Sequence, residues 1–147
     1  MQTNTIRDTY EVKAADYQTA GGASAAIKRK LKQLGIDAVI LRRIAVACYE
    51  VELNMIIHSM GGTLTMEMTP NEIKIISKDS GPGIECLDTA LTEGYSTAGE
   101  EARKLGFGAG MGLPNMRRNA DGFHIESEMG KGTLIEMRFA LHHNSLP

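Results

Sequence analysis

Four glycines alternate with other residues in Gly106-Phe107-Gly108-Ala109-Gly110-Met111-Gly112, directly ahead of a short helical pattern, Leu113–Ala120. Pro114 stands in the first turn of that pattern, where its missing N–H costs nothing. Glycine loses more backbone entropy on folding than any other residue. A run of this kind is therefore expected only where something must approach bare backbone amides. The helix start adds unpaired N–H groups and the positive end of the helix dipole, which together favour phosphate.

Two further clusters share this character. Asp79-Ser80-Gly81-Pro82-Gly83-Ile84 follows the predicted strand Glu72–Lys78, and Gly130-Lys131-Gly132-Thr133 leads into the predicted strand Thr133–Leu141. A carboxylate at a strand end can accept a hydrogen bond from an amino group such as that of adenine, and glycines beside it admit a flat ring to the backbone. Other phosphate motifs fail on inspection. For a Walker loop, Ile125 stands where the first glycine belongs, and Gly132 rather than Ser or Thr follows Lys131. For a dinucleotide fingerprint, Met111 or Leu113 takes the last glycine position. The His-Arg-Asp and Asp-Phe-Gly elements of eukaryotic-type protein kinases are absent.

The 147 residues suit one domain. With 42% hydrophobic and 23% charged residues the balance is globular, and a net charge of −2 gives no general reason to bind nucleic acid or anionic membrane. Cys48 and Cys86 show no metal-ligand spacing. The N-terminus lacks a signal-peptide core, and the longest apolar runs fall far short of the ~20 residues that cross a bilayer. The expected location is the cytoplasm, with reduced thiols.

Periodicity supplies the elements. Thr9–Ala14 reads as a strand and Ala23–Leu34 as a helix whose Lys28–Lys32 run is a solvated face. Asp37 caps a longer helix reaching about Met60. On that helix Ile44, Cys48, Val51 and Met55 share one face. Val46, Tyr49, Leu53 and Ile56 form a second apolar side, which predicts burial between layers. Thr63–Thr69 alternates cleanly and forms a hairpin with Glu72–Lys78; Phe123–Ser127 and Thr133–Leu141 form another. Glu85–Leu105 is polar and contains Gly94 and Gly99, the composition of a mobile loop. Runs of helices and hairpins without βαβ alternation predict an α+β two-layer sandwich.

Glu50 and Asn54, spaced i,i+4, share a strip beside the core face of the long helix. An Asn oxygen is a suitable hard ligand for Mg²⁺ bridging phosphates, and a carboxylate one turn away can polarise a hydroxyl for attack on a terminal phosphate. Alone, such a pair is an ordinary solvated helix edge; its company gives it meaning.

In order along the chain, Glu50–Asn54, Asp79-Ser80-Gly81-Pro82-Gly83, Gly108-Ala109-Gly110-Met111-Gly112-Leu113 and Gly130-Lys131-Gly132-Thr133 resemble the N, G1, G2 and G3 boxes of the GHKL ATPases, the Bergerat or histidine-kinase-like ATP-binding fold. Within that superfamily the chain is most similar to the small bacterial anti-sigma-factor and partner-switching serine/threonine kinases. The resemblance implies one domain over residues 1–147, a mixed, mostly antiparallel sheet covered on one face by helices, and a mobile ATP lid around 85–110. It implies Glu50 as general base and Asn54 as the Mg²⁺ ligand. Asp79 would receive the adenine amino group, with Gly81 and Gly83 shaping the pocket. Gly108, Gly110, Met111 and Gly112 would present amides to phosphates, and Thr133 would reach adenine through water. Ser96, Thr97, Arg103 and Lys104 would face the terminal phosphate from the lid. The implied cofactors are ATP and Mg²⁺. The implied partners are an anti-anti-sigma-like substrate or a sigma factor, with a homodimer and without nucleic acid or membrane. The implied reaction is transfer of the γ-phosphate to a Ser or Thr of the partner; the alternative is a non-catalytic module whose nucleotide gates capture of a regulator.

Overall fold

The computed structural model describes residues 5–14, 18, 20–58, 61–81 and 112–141. Five strands, β1 (Ile6–Val12), β2 (Gly62–Met68), β3 (Glu72–Asp79), β4 (Gly122–Glu128) and β5 (Gly132–Ala140), form one sheet in the order β1-β2-β3-β5-β4. Three helices, α1 (Gly22–Gln33), α2 (Ala38–His58) and α3 (Gly112–Asn119), accompany it. The α+β reading therefore holds. All four pairings are antiparallel, so the described sheet contains no parallel pair.

The alternation that predicted the strands also sorts the two faces of the sheet. Leu64 and Met66 of β2, Ile73 and Ile75 of β3, and Ile135, Met137 and Phe139 of β5 are fully buried in one cluster with the helices. The opposite face carries Arg7, Glu67, Lys74, Glu136 and Arg138, joined by ion pairs from Arg7 to Glu67 (3.2 Å) and from Lys74 and Arg138 to Glu136 (both 3.7 Å). Ile76 and Leu134 are the apolar side chains interspersed on this charged face of β3 and β5, and both are only half-buried, so the helices cover the other side.

Two expectations change. The first strand runs Ile6–Val12 rather than Thr9–Ala14, pairing Ile6 with Met68 through to Val12 with Gly62. Its inward positions include Asp8, whose charge interrupts the apolar alternation; the carboxylate forms an ion pair with Lys30 of α1. One lysine of the basic run is therefore a partner for the sheet edge, while Lys28, Arg29 and Lys32 are exposed as expected.

The second correction concerns α2. Ile44, Cys48, Val51 and Met55 are fully buried, and Ile56 nearly so, but Val46 is 37% and Tyr49 41% exposed. The sheet supports one side of α2 while α1 and α3 flank it. On the remaining strip Tyr49 meets Gly21, where a Cβ would lie 3.2 Å from its ring, but among the described residues the strip is only partly covered, so this second side is less buried than the periodicity predicts.

Candidate functional site

Two side chains anchor the flanking helices to α2. On one side, Glu52 is 3% exposed, and its carboxylate accepts the backbone N–H groups of Gly21 (3.2 Å), Ala23 (3.2 Å) and Ser24 (2.8 Å). These are orphan donors at the start of α1, and an anion there also meets the positive end of the helix dipole. On the other side, Arg43 donates from Nε to the Asn119 carbonyl (2.8 Å) at the end of α3 and from Nη2 to Asp121 Oδ1 (2.9 Å). Asp121 Oδ2 in turn accepts the Ala140 N–H at 2.8 Å, tying this corner to β5. The C-terminus of α3 is thereby fixed against both α2 and the sheet.

Fixing that end sets where α3 begins. Glu50 and Asn54 are both half-buried on α2. Gly112, the first residue of α3, comes so close to Glu50 that a Cβ built on it would lie 3.4 Å from Glu50 Oε2. One turn further, Asn115 Nδ2 donates to Glu50 Oε1 at 3.4 Å, and Arg118 Nη1 donates to Asn115 Oδ1 at 3.1 Å. Burial pushes the Glu50 carboxyl above its ordinary range, and the Asn115 hydrogen bond partly offsets this. The sequence reading missed Asn115, which matters only once α3 lies on α2.

The second cluster lies at the end of β3. Asp79 Oδ1 accepts the Gly81 N–H at 3.0 Å and the Thr133 N–H at 3.1 Å. The Thr133 hydroxyl pairs with Ser127 Oγ at 2.8 Å. Glycines make room on both sides of the Asp79 backbone. Gly62 of β2 pairs with Asp79, and a Cβ there would lie 2.1 Å from the Lys78 carbonyl oxygen. Gly132 of β5 has φ +128°, and a Cβ there would lie 2.1 Å from the Asp79 carbonyl oxygen. No side chain fits either position without moving the strand end.

The structure thus joins Asp79, Gly81 and Thr133 in one cluster and Glu50 and Gly112 in another. Asn54 lies one turn from Glu50, and α2 packs on β3. Gly83, Gly108, Gly110 and Met111 lie outside the described residues, as do Ser96, Thr97, Arg103, Lys104 and the rest of the 85–110 segment. The described residues on either side of it, Gly81 and Gly112, lie at Asp79 and at Glu50 respectively.

The chain is similar to known proteins. The profile described as histidine kinase-, DNA gyrase B- and HSP90-like ATPase matches residues 39–143. The chain belongs to this ATPase family. It is 33% identical over 109 residues to serine/threonine-protein kinase RsbT of Bacillus subtilis, a match covering 71% of this chain and 76% of that protein. The anti-sigma F factor of a Thermoanaerobacter species is 36% identical over 99 residues, covering 64% of this chain and 66% of that protein. That of Clostridium acetobutylicum is 34% identical over 105 residues, covering 67% and 70%. As a member of the ATPase family, the chain presents a carboxylate beside a helix N-terminus and a second carboxylate at a strand end. The first arrangement suits proton transfer next to phosphate and the second suits recognition of an amino group. Among the described residues no helix is long and apolar enough to cross a membrane.

Proposed function

We propose that this chain binds ATP with Mg²⁺ and transfers the γ-phosphate to a Ser or Thr of a regulatory partner protein in the cytoplasm, as an anti-sigma-factor-like kinase. The observation that carries this reading is Glu50, half-buried and hydrogen-bonded at the start of α3. Nucleotide binding alone has no need of a positioned base. Asp79, with Oδ1 committed to backbone amides, holds the amino edge of adenine. The amides at the start of α3 take phosphate oxygens.

Among the described residues no three His, Cys, Asp or Glu side chains gather into a metal centre. The half-buried Asn54 side chain on α2 offers one hard oxygen donor, which is of the kind that Mg²⁺ accepts. Asn54 would hold the ion, which when bound offsets phosphate charge. Glu50 accepts the proton of the partner's hydroxyl as that oxygen forms its bond to γ-phosphorus. The bond from phosphorus to the β–γ bridging oxygen breaks, and ADP leaves with that electron pair.

A pull-down in ATP and in ADP, followed by phosphosite mapping on the captured protein, tests the reading. Transfer of radiolabelled γ-phosphate to a Ser or Thr supports it, whereas capture without any phosphate transfer refutes the kinase assignment. Asp79→Asn should abolish affinity for ATP and ADP alike in calorimetry, because the amide oxygen stays with the Gly81 and Thr133 N–H groups and the NH2 then meets the adenine amino group donor to donor.

Asn115 is expected to act as a positioning residue for Glu50. Its donated hydrogen bond favours the ionised carboxylate, the form that can accept a proton. Asn115→Leu removes that bond, so the Glu50 carboxyl rises further and the acid limb of the transfer rate moves to higher pH. The rate at neutral pH falls about three- to tenfold, the worth of one hydrogen bond. ATP affinity stays unchanged. An unshifted pH profile in the variant would remove Asn115 from the mechanism.

A further inference from the structure

The inward face of β3 changes character along its length. Ile73 and Ile75 are fully buried among apolar side chains, Ser77 follows at 1% exposure, and Asp79 ends the strand. Ser77 pairs with Leu64 on β2 and with Ile135 on β5, both fully buried. Among the described residues its hydroxyl has no hydrogen-bond partner. Buried polar atoms are nearly always satisfied, and one that is not calls for an explanation. A small apolar residue would fill the position without leaving a donor and an acceptor unused.

From the geometry we infer that the Ser77 hydroxyl is a nucleobase contact, bonding the edge of an adenine ring directly or through one water. This rests on the nucleotide reading above. Two residues along a strand span about 6.8 Å, comparable to the length of a purine. Ser77 and Asp79 occupy successive inward positions on β3. A base whose amino group reaches Asp79 therefore brings its ring edge within one water of Ser77. Asp79 directs its two backbone bonds to Oδ1, from Gly81 and from Thr133. The hydroxyl is thus a costly group in the protein alone and a satisfied one in the complex.

These opposite effects make the test. Ser77→Ala removes an unsatisfied hydroxyl from the nucleotide-free protein, so its melting temperature without nucleotide should be equal to or above that of the wild type. Calorimetry should show ATP and ADP affinity falling by the same factor, about three- to tenfold. Ser77→Cys, close in size and a weaker donor, should fall between. Affinities within about twofold of the wild type, whatever the melting temperature, would overturn the contact. A loss confined to ATP would do so as well, since the base is common to both nucleotides. The control separates the two levels of argument. If Asp79→Asn abolishes binding while Ser77→Ala leaves it intact, the contact falls and the nucleotide reading stands. If the wild type itself binds neither nucleotide, both fall.

Discussion

Glu50→Ala leaves ATP affinity close to that of the wild type and lowers phosphoryl transfer to the partner by about 10²–10⁴-fold, the usual worth of a positioned general base. The separation follows from the layout. Asp79, Gly81 and Thr133 form their cluster through bonds among themselves, and Glu50 takes no part in them. Glu50 instead meets Gly112 and Asn115 at the other end of the 82–111 segment. Filter binding of radiolabelled ATP beside a transfer assay separates the two quantities. Transfer at the wild-type rate in the variant would remove Glu50 from the chemistry. The same rate would also favour the alternative in which nucleotide only gates capture.

Glu52→Ala carries the largest expected effect on stability. Three N–H groups at the start of α1 lose a nearly buried acceptor. An orphaned buried donor costs about 1–3 kcal/mol; the Ser24 N–H is buried and those of Gly21 and Ala23 are part-buried, so a total of about 3 kcal/mol is expected. For a chain of this length that lowers the melting temperature by about 6–12 °C. Glu52→Gln keeps the shape and one acceptor oxygen and should recover part of the loss. Urea unfolding of the three proteins gives the comparison. A midpoint for Glu52→Ala equal to the wild type would mean that α1 is held by its apolar contacts, Ile27 and Leu31, without need of the carboxylate.

Glu52 and Asn115 mark the boundary of what sequence makes visible. The strands were readable because Leu64, Met66 and Met68 alternate with Thr65 and Glu67, a period no helix shares. The boxes were readable because glycine and acidic residues fall at short fixed spacings along the chain. Glu52 left a trace that went unread, since it lies one turn after Cys48 on the core side of α2, an odd place for a charge. Its explanation lies in backbone donors from the start of α1, which no side-chain pattern encodes. Asn115 left no trace, because its partner Glu50 is 65 residues away and the two meet only through the packing of α3 on α2. The second apolar side of α2 misled for a related reason. Periodicity shows that Val46 and Tyr49 share a face, but which layers lie against that face is decided by the rest of the fold.

Gly62 and Gly132 stand on the strands either side of Asp79, each too close to the β3 backbone for a side chain. Neither needs to touch a nucleotide to control one. A methyl group at either position would push the strand end and swing the Asp79 carboxylate away from the amides of Gly81 and Thr133. Loss of nucleotide recognition can therefore arise by mutation at residues outside any list of ligand contacts. In a selection for variants blind to ATP, these two glycines should be recovered alongside Asp79 itself.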